Sequence, residues 1–296
     1  MRSDSNTAVV LDHVGVCARD LGPMVAAYEA LGFTLTPIAR QSGKRTPDGP
    51  TEPFGTGNRC AFLRHGYIEL LAILDPALFD NNLNKFLGRY EGLHICALGM
   101  VDEAANLARL RQAGLDIPGI AWLERPVDAP DGPRARFARL PYPDAPEGRV
   151  QLIRHMTPEL VWQDRWMTHP NKAVALEELI LVSDKAAESA YRLSQLSGLP
   201  VEPAAEGGYV LRLPGAAGAA GPRSPAMETR VRMLWPDALG DVLPGITPPA
   251  LPFMAGMVVR TEDGNEAVRA LLGDKLRPVP GGLMTVAAGA AVVFAG

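Results

Sequence analysis

The sequence predicts an α+β fold built from repeated βαβββ units, with curved mixed sheets and helices packed outside them. Two observations carry this. One succession of segments, an apolar strand, a helix closed by glycine and then short strands, recurs along the 296 residues; strands alternating with single helices suit sheets covered on one face. Polar, metal-competent side chains also recur in matching segments. His13 and Glu69 lie 56 positions apart (69 − 13), and His94 and Gln151 lie 57 apart (151 − 94). Such groups on apolar strands are costly to bury unless they bind something.

The first unit opens with VVLDHVGVCA. Leu21, Met24, Val25, Tyr28 and Leu31 then fall at helical spacing, and Gly32 follows, where a left-handed cap favours glycine. Strands FTLTPIA, NRCAFLR and YIELLAI complete it. The second unit runs from LHICALGM through a helix at Leu107 and Leu110, closed by Gly114, to IAWLER, RARFARL and RVQLIRH. The third starts at ALEELILVS, has a helix carrying Ala187, Ala190, Tyr191 and Leu196 up to Gly198, and continues in GYVLRL and TRVRMLW. The fourth, with compressed strands, runs from FMAGMVVR through a helix at Ala267, Val268 and Leu271, closed near Gly273, to LMTVAAG and AAVVFAG.

This gives residues 8–156 as a domain of two units, 157–172 as a linker and 173–296 as a second, degenerate pair. Residues 41–57 read as a Pro/Gly-rich loop long enough to act as a lid. Residues 214–225, rich in Gly, Ala and Pro, carry no visible chemistry.

Composition narrows the partners. The net charge is −4 and no long basic run occurs, which speaks against nucleic acid and anionic membrane surfaces. Apolar stretches fall short of the ~18 residues of a membrane span, and MRSDSNTAVV lacks an apolar signal core. Three cysteines without a CxxC motif suit a reducing compartment. The expectation is a cytoplasmic protein acting on a small molecule. A homodimer is compatible, because repeated units present similar faces.

On a strand, side chains alternate between faces. Leu11, His13 and Gly15 therefore share one face, and Tyr67, Glu69 and Leu71 share another. If the two copies meet face to face, His13, Glu69, His94 and Gln151 converge on a pseudo-twofold centre. Two imidazoles, a carboxylate and an amide oxygen suit zinc, nickel, manganese or iron(II) better than a sulfur-rich set would. Asn58 and Arg59, at the start of NRCAFLR, are placed to bind substrate, the arginine as a carboxylate clamp. Cys17 and Cys96 share parity with the histidines and read as core. His155 is expected at the surface and His169 in a turn. Tyr67, Trp122 and Phe137 are expected in a core or an apolar pocket wall.

The motifs LDHVGV, YIELL, LHICAL and VQLIR resemble those of the vicinal oxygen chelate superfamily. GTGNRCAF, YIELLAI and the later HPN segment are most similar to its glyoxalase-like domain proteins. The resemblance covers about residues 8–156 well and 173–296 loosely. It implies metal ligands on the first and last strands of two paired units, at His13, Glu69, His94 and Gln151, with a divalent metal between them. It also implies that Glu69 moves the proton, because Gln151 is neutral and cannot act as a base. Three functions follow. One is a metal-dependent lyase or isomerase acting on a substrate with vicinal oxygens. Another is an iron(II) ring-cleaving dioxygenase using His13, His94 and Glu69. The third is a resistance-type binding protein without turnover. With Glu178 and MAGMVV at the positions matching His13, the second half reads as structural.

Overall fold

In the computed structural model, which describes residues 7–46, 49–129 and 131–296, the chain lays down the same strand–helix–strands unit four times. The first unit is β1 (Ala8–Ala18), α1 (Leu21–Ala30), β2 (Ala39–Gly43), β3 (Glu52–Phe62) and β4 (Tyr67–Ile73). A short α2 (Leu83–Leu87) leads to β5 (Gly92–Met100), α3 (Glu103–Gln112), β6 (Ala121–Pro126), β7 (Arg134–Pro141) and β8 (Arg149–His155). After α4 (Pro158–Val161) come β9 (Ala173–Val182), α5 (Ala186–Ser197), β10 (Val201–Pro203), β11 (Tyr209–Leu213) and β12 (Thr229–Leu234). A short α6 (Leu239–Val242) precedes β13 (Phe253–Thr261), α7 (Glu266–Leu272), β14 (Arg277–Val279), β15 (Gly282–Ala287) and β16 (Ala290–Ala295). Side chains of Asp20 and Asp102 cap α1 and α3 by accepting from Gly22 and Ala105 amides, each at 2.8 Å. Gly32 and Gly114 follow those helices at φ +85° and +84°, as their place after the last apolar turn predicts.

In each unit the first strand runs parallel to the last, and the first strands of successive units pair antiparallel, β1 with β5 and β9 with β13. In the first half the ring closes: β1-β4-β3-β2-β6-β7-β8-β5 returns to β1, an eight-stranded barrel with a lined interior. The second half stays open and joins the barrel edge where Met254 pairs with Leu93.

A β-bulge sits in each first strand. Between β1 and β5 the register slips at Asp12 on one strand and at His94 on the other; between β9 and β13 it slips at Glu177 and Ala255. A bulge adds one residue and re-aims the side chains around it. The ladders then fix equivalence: Gly15 pairs with Glu69 and Ala97 with Gln151, an offset of 82 on both strands (97 − 15, 151 − 69). The counterpart of His13 is thus Ile95, and that of His94 is Asp12.

The halves share one hydrophobic core. Leu11, Leu98, Leu179 and Val259, one from each unit, belong to a single buried cluster, and Phe33 stacks on Phe294 at 6.1 Å. The concave face of the second half is filled by Ile180, Leu234, Leu239, Val242, Phe253 and Val293. Glu178, fully buried at the position matching His13, is held between Arg230 and Arg232. The two guanidinium groups compensate its buried charge.

Three connecting segments differ from expectation. Residues 33–38 form no ladder: Pro37 removes a donor, and the Arg59 side chain takes the carbonyls of Leu35 and Thr36, so β2 starts at Ala39. Residues 41–57 are largely strand rather than loop. Gly55 and Gly57 let β3 pass close to Asp75 and Leu74, since a Cβ there would stand 2.3 and 2.4 Å from them; of this segment, residues 47 and 48 lie outside the described residues. Residues 214–225 pack on β1, with Gly215 donating to the Val9 carbonyl and Gly66 to that of Ala220. Among the described residues no helix is long and apolar enough to cross a membrane.

Candidate active site in the barrel

Strand alternation turns His13, Glu69, Asn58, Cys60, Phe137, Arg139, Arg149, Gln151 and Ile153 into the barrel, where they line one cleft with Tyr67, Gln41 and Arg125. The cleft has a volume of about 60 Å³ and opens to solvent. Of the expected site residues it brings together His13, Glu69, Gln151 and Asn58, and leaves out His94 and Arg59. The His94 ring stacks on Tyr90 with centroids 3.9 Å apart, and its Nε2 donates to the Tyr90 carbonyl at 2.8 Å. Arg59 straps β3 to the chain before β2 and pairs with Glu29 on α1 at 3.0 Å. The reason for the first miss is the bulge: a one-residue slip moves a side chain to the other face, and Ile95 takes the inward place.

The bulge on β1 brings Asp12, which parity would place on the face opposite His13, beside that imidazole. Asp12 Oδ1 accepts from His13 Nδ1 at 2.7 Å and from His155 Nε2 at 3.1 Å. Burial would raise the Asp12 pKa, but His155 and His13 outweigh it and hold the carboxyl well below the usual carboxylate range. A carboxylate only accepts, so Nδ1 of His13 carries a proton and Nε2 is the ring nitrogen turned to the cleft. There Nε2 stands 4.0 Å from Glu69 Oε2, and the ring stacks on Tyr67 at 4.4 Å. Glu69 Oε1 accepts from Asn58 Nδ2 at 2.5 Å and from Gln41 Nε2 at 3.4 Å. The His155 ring, its side chain 5% exposed, is enclosed by Phe137, Tyr67 and Trp162 rather than held at the surface. His169 ties the inter-half segment down, accepting from the Thr34 amide and donating to the Phe62 carbonyl.

Three arginines complete the wall. Arg139 Nη1 donates to Gln151 Oε1 at 3.4 Å, while its buried Nε has no partner. Burial, reinforced by Arg149, pulls the Arg139 pKa down to about 9 against the pull of Glu69. Arg149 donates to the Asn81 carbonyl at 2.7 Å, and Arg125 lies over the Phe137 ring. No described carboxylate is within ion-pair distance of any of the three. Cys60, also in the wall, is no nucleophile: burial pushes its thiol up to about 12.

The sequence model for the glyoxalase-like domain matches residues 11–197. The chain belongs to the glyoxalase-like domain family. Among curated proteins none matches it in sequence. Of solved structures, a hypothetical protein from Staphylococcus aureus is similar at TM-score 0.60 and 12% identity, over 96% of this chain and 98% of that one. A Mn(II)-bound glyoxalase from Novosphingobium aromaticivorans matches at TM-score 0.53 and 11% identity (97% and 82% covered). Homoprotocatechuate 2,3-dioxygenase from Arthrobacter globiformis matches at 0.51 and 12% (99% and 81%). At these identities the likeness establishes the vicinal oxygen chelate fold of the glyoxalase-like chain and not its chemistry.

The donor set decides how far a family metal suits this member. One imidazole, one carboxylate and one neutral amide converge, with Ile95 where a second imidazole would stand and three guanidinium groups raising the local potential. Among the described residues no three His, Cys, Asp or Glu side chains are grouped to hold an ion. These residues do not fit the four-ligand centre His13–Glu69–His94–Gln151, nor the His13–His94–Glu69 triad of a ring-cleaving dioxygenase.

The placement of His94 has a measurable consequence. Burial lowers its pKa to about 4, against 6.5 for the free side chain. The unfolded chain therefore takes up this proton first, and stability falls as pH drops from about 6.5 to 4. His94→Phe keeps the stack on Tyr90 and removes this part of the acid loss, at most about 3 kcal/mol. Chemical denaturation at pH 7 and pH 4.5 shows it as a smaller difference between the two, with cleft binding unchanged.

Proposed function

We propose that the cleft catalyses proton transfer at a carbon beside a carbonyl, a lyase or isomerase reaction on a small oxygenated substrate, with His13 as the group that moves the proton. The observation that carries this is the Asp12–His13 contact. A buried carboxylate that fixes the tautomer and orientation of the imidazole is the arrangement a positioned base needs. The C–H proton passes to Nε2, the bonding pair delocalises onto the carbonyl oxygen as an enolate, and the imidazolium returns the proton at the neighbouring position. Glu69, 4.0 Å from Nε2, stabilises the imidazolium while it exists. Its Oε1 is already engaged by Asn58 Nδ2 and Gln41 Nε2. The proton-moving part therefore falls to His13 rather than to Glu69. Asn58 and the cationic wall supply donors and potential for the developing enolate oxygen.

Hydrogen–deuterium exchange tests this. Chelator-treated protein is incubated in D2O with small 2-oxo acids, 2-hydroxy ketones and their esters, and deuterium at the α-carbon is read by NMR. The reading requires exchange above the buffer rate that does not rise on adding zinc, nickel, manganese or iron(II). Exchange that appears only with metal refutes it. A binding protein without turnover is the second reading, supported by Gln151 and Ile95 in place of two ionisable ligands; saturable binding with no exchange selects it.

A further inference from the structure

The arginine wall points to what the substrate carries. A guanidinium taken out of water needs hydrogen-bond acceptors for its five N–H groups and a counter-charge, and leaving it without them is costly. In the cleft Arg139 meets one weak acceptor at 3.4 Å, the neutral oxygen of Gln151, and its Nε is buried with no partner. Arg149 lines the same wall and is bonded to a backbone carbonyl. Arg125 faces in from β6 across the aromatic ring of Phe137. The acidic groups in the wall are Glu69 and Glu124. Glu124 is neutralised by Arg134 at 2.7 Å, and Glu69 already has Asn58 and Gln41. Three guanidinium groups thus face one uncompensated carboxylate, so the cleft wall has an excess of positive charge, with the Arg139 Nε itself buried.

We infer that Arg139, with Arg149 and Arg125 around it, seats a carboxylate of the substrate, so that the molecule turned over is a small carboxylic acid. The planar fork of an arginine matches a carboxylate through two parallel N–H···O bonds, and the orphaned Nε of Arg139 is one arm of that fork. The small cleft favours a short acid over a phosphorylated one. Arg139 comes from β7 and His13 from β1, on different sides of the same interior, so a seated acid presents its neighbouring carbons toward the imidazole. This assignment rests on the proton-transfer reading for its chemistry but not for its binding, and the two fail separately.

The test is binding measured by 1H–15N spectra of the arginine Nε–H groups. The probes are pyruvate, glycolate and acetate, the matching neutral methyl ketone and methyl ester, and inorganic phosphate. They are added to the wild-type protein and to Arg139→Gln, Arg139→Lys and His13→Gln. The acids should saturate, shift the Arg139 Nε–H signal downfield, and bind at least tenfold tighter than the neutral analogues. Arg139→Gln should erase that preference and Arg139→Lys restore part of it, which separates charge from folding. His13→Gln should bind the acids normally, so binding without exchange would leave this inference standing while the catalytic reading falls. Equal affinity for acid and neutral analogue overturns it, as does an unshifted Arg139 signal at saturation. Phosphate outcompeting every carboxylate, or no saturable binding by any acid to the folded wild type, overturns it as well.

Discussion

His13→Gln lowers the rate of α-proton exchange by about 10²–10⁴-fold, the range a positioned general base contributes. Glutamine keeps a donor for Asp12, so the buried carboxylate is not stranded, but presents no basic nitrogen to the cleft. KM for a small acid should change little, since the arginines hold the substrate and the imidazole acts on the transition state. Loss of binding together with rate would instead give His13 a part in seating the substrate. Glu69→Gln is the informative companion. Removing a charge 4.0 Å from Nε2 makes the imidazolium harder to form without removing the base, so its effect is smaller than that of His13→Gln. A larger effect would return the proton-moving part to Glu69.

Asp12→Ala is expected to be the most destabilising single change in the barrel. Asp12 is fully buried and accepts from two imidazoles, and breaking such a buried charged arrangement costs about 3–5 kcal/mol. The effect depends on pH with a definite sign. Because the folded Asp12 pKa is depressed, its stabilisation is fully present above the unfolded value, roughly 3.9. It is lost as pH falls through the folded value. The gap between wild type and Asp12→Ala in urea denaturation should thus be full at pH 7, persist at pH 5 and shrink below pH 4. A gap that closes between pH 7 and 5 would trace the stabilisation to the histidines instead.

Much of the architecture was legible. Apolar strands, glycine-closed helices and the fourfold recurrence announced the repeated unit, because glycine after a helix and alternation along a strand are local rules. Parity grouped His13 with Leu11 and Gly15, and Glu69 with Tyr67 and Leu71, but which face turns inward is set by closure of the barrel. The bulges were not legible, since a bulge is decided by the partner strand rather than by the residues in it. They account for the error that matters, His94 taken as the mate of His13, and for the place of Asp12 beside His13, which strand alternation does not give. A trace did exist in the spacing, 56 residues in one pair and 57 in the other, a one-residue discrepancy that flips a side chain. Arg139 and Arg149 were open to the same parity argument, lying two residues from Phe137 and Gln151 on their strands. Arg59 was misjudged because its partners, the carbonyls of Leu35 and Thr36, are backbone groups that no pattern of side chains marks.

Which nitrogen of His13 carries the proton decides whether this imidazole can serve as the base in the cleft. Long-range 1H–15N correlation of the imidazole rings at pH 7, with and without a twofold excess of Zn2+ after chelator treatment, reads it directly. The prediction is a neutral Nδ1–H ring bonded to Asp12, with Nε2 at the shift of a free lone pair and no change on adding metal. An Nε2–H tautomer, or an Nε2 resonance that moves to a metal-bound value together with that of His94, would contradict it.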